Sequence, residues 1–209
     1  MPLRILLADD HCVVRQGLRA LLERAGFEVV AEASDGAEAV RLAERLQPNV
    51  AVLDLVMPNL NGLDAARQIL HGHGNTAVIL LTMHTAEHHV AAALRIGVRG
   101  YLLKTQAAED LVHAIREVAR GHVFLSPEVS RLVVEGYLSG ARVEEPLAPR
   151  EREVLQLVAE GKTSKEIAEQ LGLTVKTAES YRTHIMEKLD IHETAGLVRY
   201  AIRRGLITP

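Results

Sequence analysis

Strand and helix signals alternate five times over roughly the first 120 residues and then give way to short helices alone. That order predicts an α/β chain in two parts, a five-stranded parallel, doubly wound sheet and a C-terminal all-α domain. Two features carry the expectation. The strand candidates are short, continuously apolar runs, as expected of strands covered by helices on both faces. The helix candidates between them hold apolar residues at three- and four-residue spacing and stop at glycine or proline.

Ile5 to Ala8 is the first strand and runs into two acids, Asp9 and Asp10. Leu18, Leu21, Leu22 and Ala25 mark a helix that Gly26 closes. Val29 to Ala31 is the second strand. Ser34, Asp35 and Gly36 then turn the chain into a helix with Ala39, Val40, Ala43 and Leu46 inward, ended by Pro48. The third strand, Val50 to Asp54, is the central one, bounded by Pro48 and by Pro58, Asn59 and Gly62. Ala65, Ala66, Ile69 and Leu70 give the next helix, broken by the glycines around His71 and His73. Ala77 to Leu81 is a fourth strand that ends in Thr82, and a helix with Val90, Ala93, Leu94 and Gly97 leads to the fifth, Gly100 to Leu103, ending in Lys104. Leu111, Val112, Ile115, Val118 and Ala119 form the last helix of this unit, closed by Gly121.

A carboxylate at the end of a buried strand is costly unless it opens into a polar crevice. Taken alone, Asp54 either faces such a crevice or caps the turn that follows. Position favours the crevice: Asp9, Asp10, Asp54, Thr82 and Lys104 all lie at strand carboxyl ends, and in a flavodoxin-like sheet of order 2-1-3-4-5 those ends meet. Three converging carboxylates repel one another unless a cation sits among them, and an oxygen-only donor set favours Mg²⁺. Asp54 is then a candidate nucleophile for phosphoryl transfer, with an aspartyl phosphate as product. Mg²⁺ would neutralise the phosphoryl oxygens, Lys104 would supply a compact positive charge, and the Thr82 hydroxyl would hydrogen-bond the attached group.

Composition bounds the rest. With 209 residues, two domains are expected; 48% apolar and 24% charged residues allow proper cores, and 3% aromatics without tryptophan makes those cores aliphatic. The lone Cys12 excludes an intramolecular disulfide and suits a reducing compartment, where it reads as a small core or surface thiol. No apolar run approaches the roughly 18 residues of a membrane span and no signal-peptide pattern opens the chain, so a soluble, cytoplasmic protein is expected. Charge gives no pointer to nucleic acid: residues 147 to 209 carry 10 basic against 9 acidic groups, and residues 1 to 140 carry 13 against 16. His71, His73, His84, His88 and His89 lie in loops and at a helix start with no carboxylate pattern around them, so solvated imidazoles are expected there rather than a metal site.

The stretches LADDH, LDLVMPNLNGLDAARQI, LLTMH and GVRGYLLKT together resemble the receiver domain of bacterial two-component response regulators, over residues 3 to about 121. The resemblance implies that Asp54 accepts a phosphoryl group from a sensor histidine kinase, and that Asp9 and Asp10 bind Mg²⁺ beside it. It also implies that Thr82, Lys104 and Tyr101 read the result, with Tyr101 swinging inward. An aromatic half-buried on an edge strand fits Tyr101 equally well. Such a protein is not an enzyme; it accepts its own phosphoryl group and at most removes it slowly. A dedicated phosphatase of the haloacid-dehalogenase type would need a second acid two residues beyond the nucleophile, where Val56 stands.

From 122 to 146 the sequence reads as a linker, in which Pro127 to Leu138 can form a helix and Ser139 to Pro146 is a polar connector. Beyond it, Pro149 starts a helix that Gly161 stops. Ser164 is expected to cap a two-turn helix ending at Gly172, and Thr174 to cap a third that runs to about Leu189. A short helix, a glycine turn and a second helix make a helix-turn-helix. On the second helix Val175, Ala178, Tyr181, Ile185 and Leu189 share one face. The stretch Leu147 to Ile207 resembles the LuxR-type effector domain of the NarL/FixJ class of response regulators. By that resemblance Lys176, Glu179, Ser180 and Thr183 read DNA bases, while Thr163, Lys165 and Arg182 contact phosphates. Ala178 and Tyr181 stand where valine and histidine are common. Glu179 replaces a frequent basic residue, which turns base preference towards the cytosine amino group. The last helix, about Glu193 to Arg204, resembles the one through which these domains dimerise. The expected protein is thus a receiver over 1–121, a linker over 122–146 and a DNA-binding domain over 147–209. Once phosphorylated it binds double-stranded DNA as a homodimer, with RNA polymerase a candidate further partner. The alternative is a regulator of the same fold that works without phosphorylation, its receiver serving dimerisation or partner docking.

Overall fold

The computed structural model describes residues 1–72, 75–83, 87–139 and 146–208. They fall into two compact units, one built on the N-terminal sheet and the other on the four C-terminal helices. Among the described residues no helix is long and apolar enough to cross a membrane.

The first unit runs β1 (Arg4–Ala8), α1 (Cys12–Arg24), β2 (Glu28–Ala33), α2 (Gly36–Leu46), β3 (Val50–Asp54), α3 (Gly62–Gly72), β4 (Ala77–Thr82), α4 (Glu87–Arg95) and β5 (Gly100–Leu103). A single 3₁₀ turn, Lys104–Gln106, joins β5 to α5 (Ala107–Ala119), followed by β6 (Phe124–Leu125) and α6 (Pro127–Ser139). All strand pairs are parallel and the order is β2-β1-β3-β4-β5-β6. Every residue of β3 is buried, which is why its run is apolar without alternation. The alternation is instead between two cores. Ile5, Leu7, Val50, Val52, Ile79, Leu81 and Leu102 pack with Leu18 and Leu22 of α1 and Leu111, Ala114, Ile115 and Val118 of α5. The intervening Leu6, Ala51, Leu53, Val78 and Leu80 are buried too and face the opposite side.

Two expectations change here. The sheet has six strands rather than five, because Phe124 and Leu125 pair with Gly100 and Tyr101. A two-residue strand leaves no periodic pattern to read, yet the Ser126 amide also donates to the Tyr101 carbonyl (3.1 Å), and the Phe124 ring meets His113 edge-on. As a result β5 is not an edge, and Tyr101, for which a half-buried place on an edge strand was the alternative to a side chain that swings inward, is wholly buried. The stretch expected as linker over 122–146 therefore begins with β6 and α6, whose Val129 is fully buried. Of the polar connector expected over Ser139 to Pro146, residues 140–145 lie outside the described residues, as do His73 and His84.

The second unit holds α7 (Pro149–Ala159), α8 (Ser164–Leu171), α9 (Val175–Leu189) and α10 (Thr194–Arg203). Val154, Leu155, Leu157, Val158, Ile167, Ala168, Ala178, Ile185, Leu197 and Ala201 make its aliphatic core. Gly172 closes α8 in the left-handed region (φ 63°), so only three residues separate α8 from α9. The cap of α8 is Thr163, one residue before the expected Ser164. A capping box needs its acid three places on, and that acid is Glu166, which takes the Thr163 amide (2.8 Å) while the Thr163 hydroxyl accepts from the Glu166 amide (3.3 Å). Thr174 caps α9 as expected, through the Thr177 amide (3.1 Å). Val175 departs from the inward face assigned to it: at the first position of α9 it is 43% exposed. Within the unit, α9 is pinned to α7 by Lys188, whose ammonium lies 2.7 Å from the Glu151 carboxylate.

Candidate functional site

Register brings the strand-end residues together. Ala8 pairs with Leu53, Asp54 with Leu81, and Thr82 with Leu103, so Asp9, Asp54, Thr82 and Lys104 emerge at neighbouring positions along one edge of the sheet. The Lys104 ammonium lies 2.7 Å from Asp9 Oδ2 and 2.7 Å from Asp54 Oδ2. Asp9 is fully buried, Asp54 is 5% exposed and Thr82 2%, whereas Asp10 stands at the mouth. Asp9, Asp10, His11 and Asp54 can each present a ligand atom, all within 4.8 Å of one another.

The electrostatics follow from that burial. Desolvation pushes the Asp54 carboxyl up to about 6; Lys104 pulls against the rise, and Asp9 and Asp10 add to it. For Lys104, burial opposes the charge, but the Asp54 and Asp9 carboxylates outweigh it and raise its pKa. Three acids and one ammonium leave net negative charge in a partly buried cluster, and the donors are mostly hard oxygens. That set fits Mg²⁺, with Asp9, Asp10 and Asp54 as the residues that would hold it. Burial also raises the pKa of the Tyr101 phenol, opposed by the nearby Thr82 hydroxyl, so the two side chains are neighbours behind the site.

The loop after Asp54 is held by a close approach. The Gly62 amide donates to the Leu55 carbonyl at 2.8 Å. A Cβ on Gly62 would overlap the Asp54 carbonyl oxygen and come within 2.9 Å of its carbonyl carbon and 3.0 Å of Leu55 Cα. Backbone cannot give way as a side-chain tip can. Gly62→Ala is therefore expected to lower the Tm of the first unit by roughly 10 °C, from an overpacking cost of about 1–3 kcal/mol. An unchanged melting curve would contradict this packing. The sequence alone marks neither Gly62 nor His11 as a site residue; its signals are the place of His11 directly after two acids and that of Gly62 in the loop beyond Asp54.

On α9 the expected base-reading residues Lys176, Glu179, Ser180 and Thr183 are all exposed. The Ser180 hydroxyl bonds back to the Lys176 carbonyl at 2.9 Å. Of the expected phosphate contacts, Lys165 is exposed in the first turn of α8. Thr163 is exposed, but its hydroxyl is engaged by Glu166, and the half-buried Arg182 donates to the Thr194 hydroxyl at 2.7 Å. Of the histidines around the third and fourth helices, exposed His71 bonds the Arg67 carbonyl on its own helix at 2.7 Å.

Two family models match the chain, "Response regulator receiver domain" over residues 5–116 and "Bacterial regulatory proteins, luxR family" over residues 145–201. The transcriptional regulatory protein LiaR of Bacillus subtilis (strain 168) is 41% identical over 211 residues, covering 98% of this chain and 99% of its own. Among solved structures, a two-component response regulator of the LuxR family from Aurantimonas sp. SI85-9A1 is 36% identical with a TM-score of 0.63, over 66% of this chain and 99% of that one. RcsB from Salmonella enterica serovar Typhimurium, bound to promoter P1flhDC in the presence of the phosphomimetic BeF3-, is 31% identical with a TM-score of 0.62. That match spans 96% of this chain and 98% of RcsB.

Proposed function

The chain belongs to the response regulators that join a receiver domain to a LuxR-type DNA-binding domain, transcriptional regulators rather than enzymes, and we propose that phosphorylation of Asp54 switches its binding to DNA. The observation that carries this reading is the buried Asp54 carboxylate 2.7 Å from Lys104, ringed by Asp9 and Asp10 at the strand ends.

In the proposed reaction one Asp54 oxygen attacks the phosphorus of a phosphohistidine on the sensor kinase. A P–O bond forms as the P–N bond breaks, and the nitrogen keeps the bonding pair. Bound Mg²⁺ would neutralise charge on the phosphoryl oxygens and so favour the transfer. Lys104, already beside the carboxylate, follows the charge onto the phosphoryl group. The Thr82 hydroxyl then bonds a phosphoryl oxygen, and its movement alters the space in which Tyr101 packs. The new group carries up to two negative charges and stabilises one of two packings of this region, a population shift rather than a new fold.

The effector half reads DNA through α9. Lys176, Glu179, Ser180 and Thr183 face the base edges, and Lys165 a phosphate. Thr163 and Arg182, committed to Glu166 and Thr194, set the register of α8 and α9 and reach phosphate only by exchanging those partners. Exposed Val175 joins the reading surface, where an apolar branch suits a thymine methyl. A dimer formed through α10 places two such helices on two half-sites and compensates for the weak basic charge. RNA polymerase is a candidate contact of the DNA-bound dimer.

Intact-mass measurement after incubation with acetyl phosphate tests the acceptor. One phosphoryl group per chain is expected with Mg²⁺ and none with EDTA; equal labelling in both would overturn the proposed site.

A further inference from the structure

His11 sits where the acids need a further ligand. Its ring does not cap α1, although it occupies the N-cap position with extended backbone (φ −83°, ψ 104°). The ring instead turns to the acids: His11 Nδ1 lies 2.7 Å from Asp10 Oδ1 and 3.4 Å from Asp9 Oδ1. Asp9 is thus divided between two partners. Its Oδ2 faces Lys104 at 2.7 Å, and its Oδ1 faces His11, whose backbone amide donates to it at 2.9 Å. Lys104 and His11 therefore approach Asp9 from opposite sides. Lys104 holds the side shared with Asp54, and the imidazole, 63% exposed, holds the solvent side shared with Asp10. The ligand atoms of Asp9, Asp10, His11 and Asp54 lie within 4.8 Å of one another, close enough to share one cation.

We infer that His11 is a direct metal ligand through Nδ1, making this a mixed carboxylate and imidazole site that holds first-row transition divalent ions more tightly than Mg²⁺. The inference rests on the phosphoacceptor reading of the same pocket. Its chemistry is ordinary: carboxylates alone suit Mg²⁺, and an imidazole adds a borderline donor that Mg²⁺ uses poorly but Mn²⁺ and later metals use well. The cation itself remains within reach of Asp9, Asp10 and Asp54, so the phosphoryl chemistry is not displaced.

The test uses the full-length protein, with Mn²⁺ and Mg²⁺ as the probes. Both ions are titrated into wild type, His11→Ala, His11→Gln and Asp9→Asn, and the Mn²⁺ complexes are examined by pulsed EPR. Wild type is expected to show the nitrogen coupling of a directly bound imidazole, and both His11 variants to lose it. Their preference for Mn²⁺ over Mg²⁺ falls about tenfold, while Mg²⁺ affinity stays within about twofold. His11→Gln keeps a hydrogen-bonding side chain beside Asp10, so a loss shared by both variants reports the imidazole and not a disturbed loop. No nitrogen coupling in wild type with an unchanged ion preference overturns the inference. If Asp9→Asn then still abolishes Mg²⁺ binding, the phosphoacceptor reading stands and only the role of His11 falls. If wild type binds neither ion at millimolar concentration, both fall.

Discussion

Asp54→Asn is expected to abolish labelling by phosphodonors, a loss of at least about 10³-fold if no neighbouring group substitutes for the nucleophile. It should do so without unfolding the receiver. In Mg²⁺-free buffer near pH 8 the variant should in fact be the more stable protein. An acid raised from 3.8 to about 6 holds its proton more firmly folded than unfolded, so its contribution to stability is complete below about pH 4 and is lost as pH rises through about 6. At neutral pH the ionised Asp54 is therefore a net cost. The rise corresponds to about 3 kcal/mol as a ceiling, and asparagine, neutral at every pH, escapes it. An increase of about 1–3 kcal/mol in unfolding free energy is expected, shrinking as the pH falls towards 4. Adding Mg²⁺ narrows the gap from the other direction, because the ion stabilises the wild-type carboxylate cluster more than the variant. Urea unfolding of both proteins at pH 8 and pH 5, with and without Mg²⁺, checks each of these signs. Labelling of Asp54→Asn at another residue would contradict the acceptor assignment.

The second large effect belongs to α9. Lys176→Ala and Thr183→Ala are each expected to weaken binding to the target DNA by about 1–3 kcal/mol, roughly five- to 150-fold. Phosphorylation of Asp54 should be unchanged in both. Both side chains are exposed on α9, and neither belongs to the core of Ala178 and Ile185. The salt dependence sorts their roles: a residue that reads a base loses discrimination between sequences, whereas one that meets a phosphate weakens all sequences alike and lowers the salt slope by about 1. Equal loss of DNA binding and phosphorylation would mean that the two activities do not reside in separate parts of the chain.

The site was legible because its logic is topological. Strand ends in a doubly wound sheet converge whatever the loops do, so Asp9, Asp10, Asp54, Thr82 and Lys104 could be grouped from their positions at the ends of four apolar runs. Their mutual distances could not, nor could the way Lys104 spans two carboxylates, since those depend on register and rotamer. β6 escaped because two residues carry no period; its existence follows from pairing with Gly100 and Tyr101, a long-range fact. The full burial of Tyr101 depends on the same pairing. His11 and Gly62 escaped for different causes. A histidine beside acids is ambiguous until its ring direction is known. The need for glycine at 62 arises from the Asp54 carbonyl, which only folding brings there. The helix-turn-helix was legible through Gly172 and Thr174; the Thr163–Glu166 capping box is likewise local, three residues apart, whereas the bond from Arg182 on α9 to Thr194 on α10 is tertiary detail.

The most direct test of the central claim combines gel shift and sizing on wild type with and without acetyl phosphate and Mg²⁺, with Asp54→Asn as control. If phosphorylation at Asp54 is the switch, dimerisation and DNA affinity rise together in phosphorylated wild type only. Equal DNA binding in all samples would contradict the switch, and would leave a LuxR-type regulator whose receiver serves as a dimerisation or docking module.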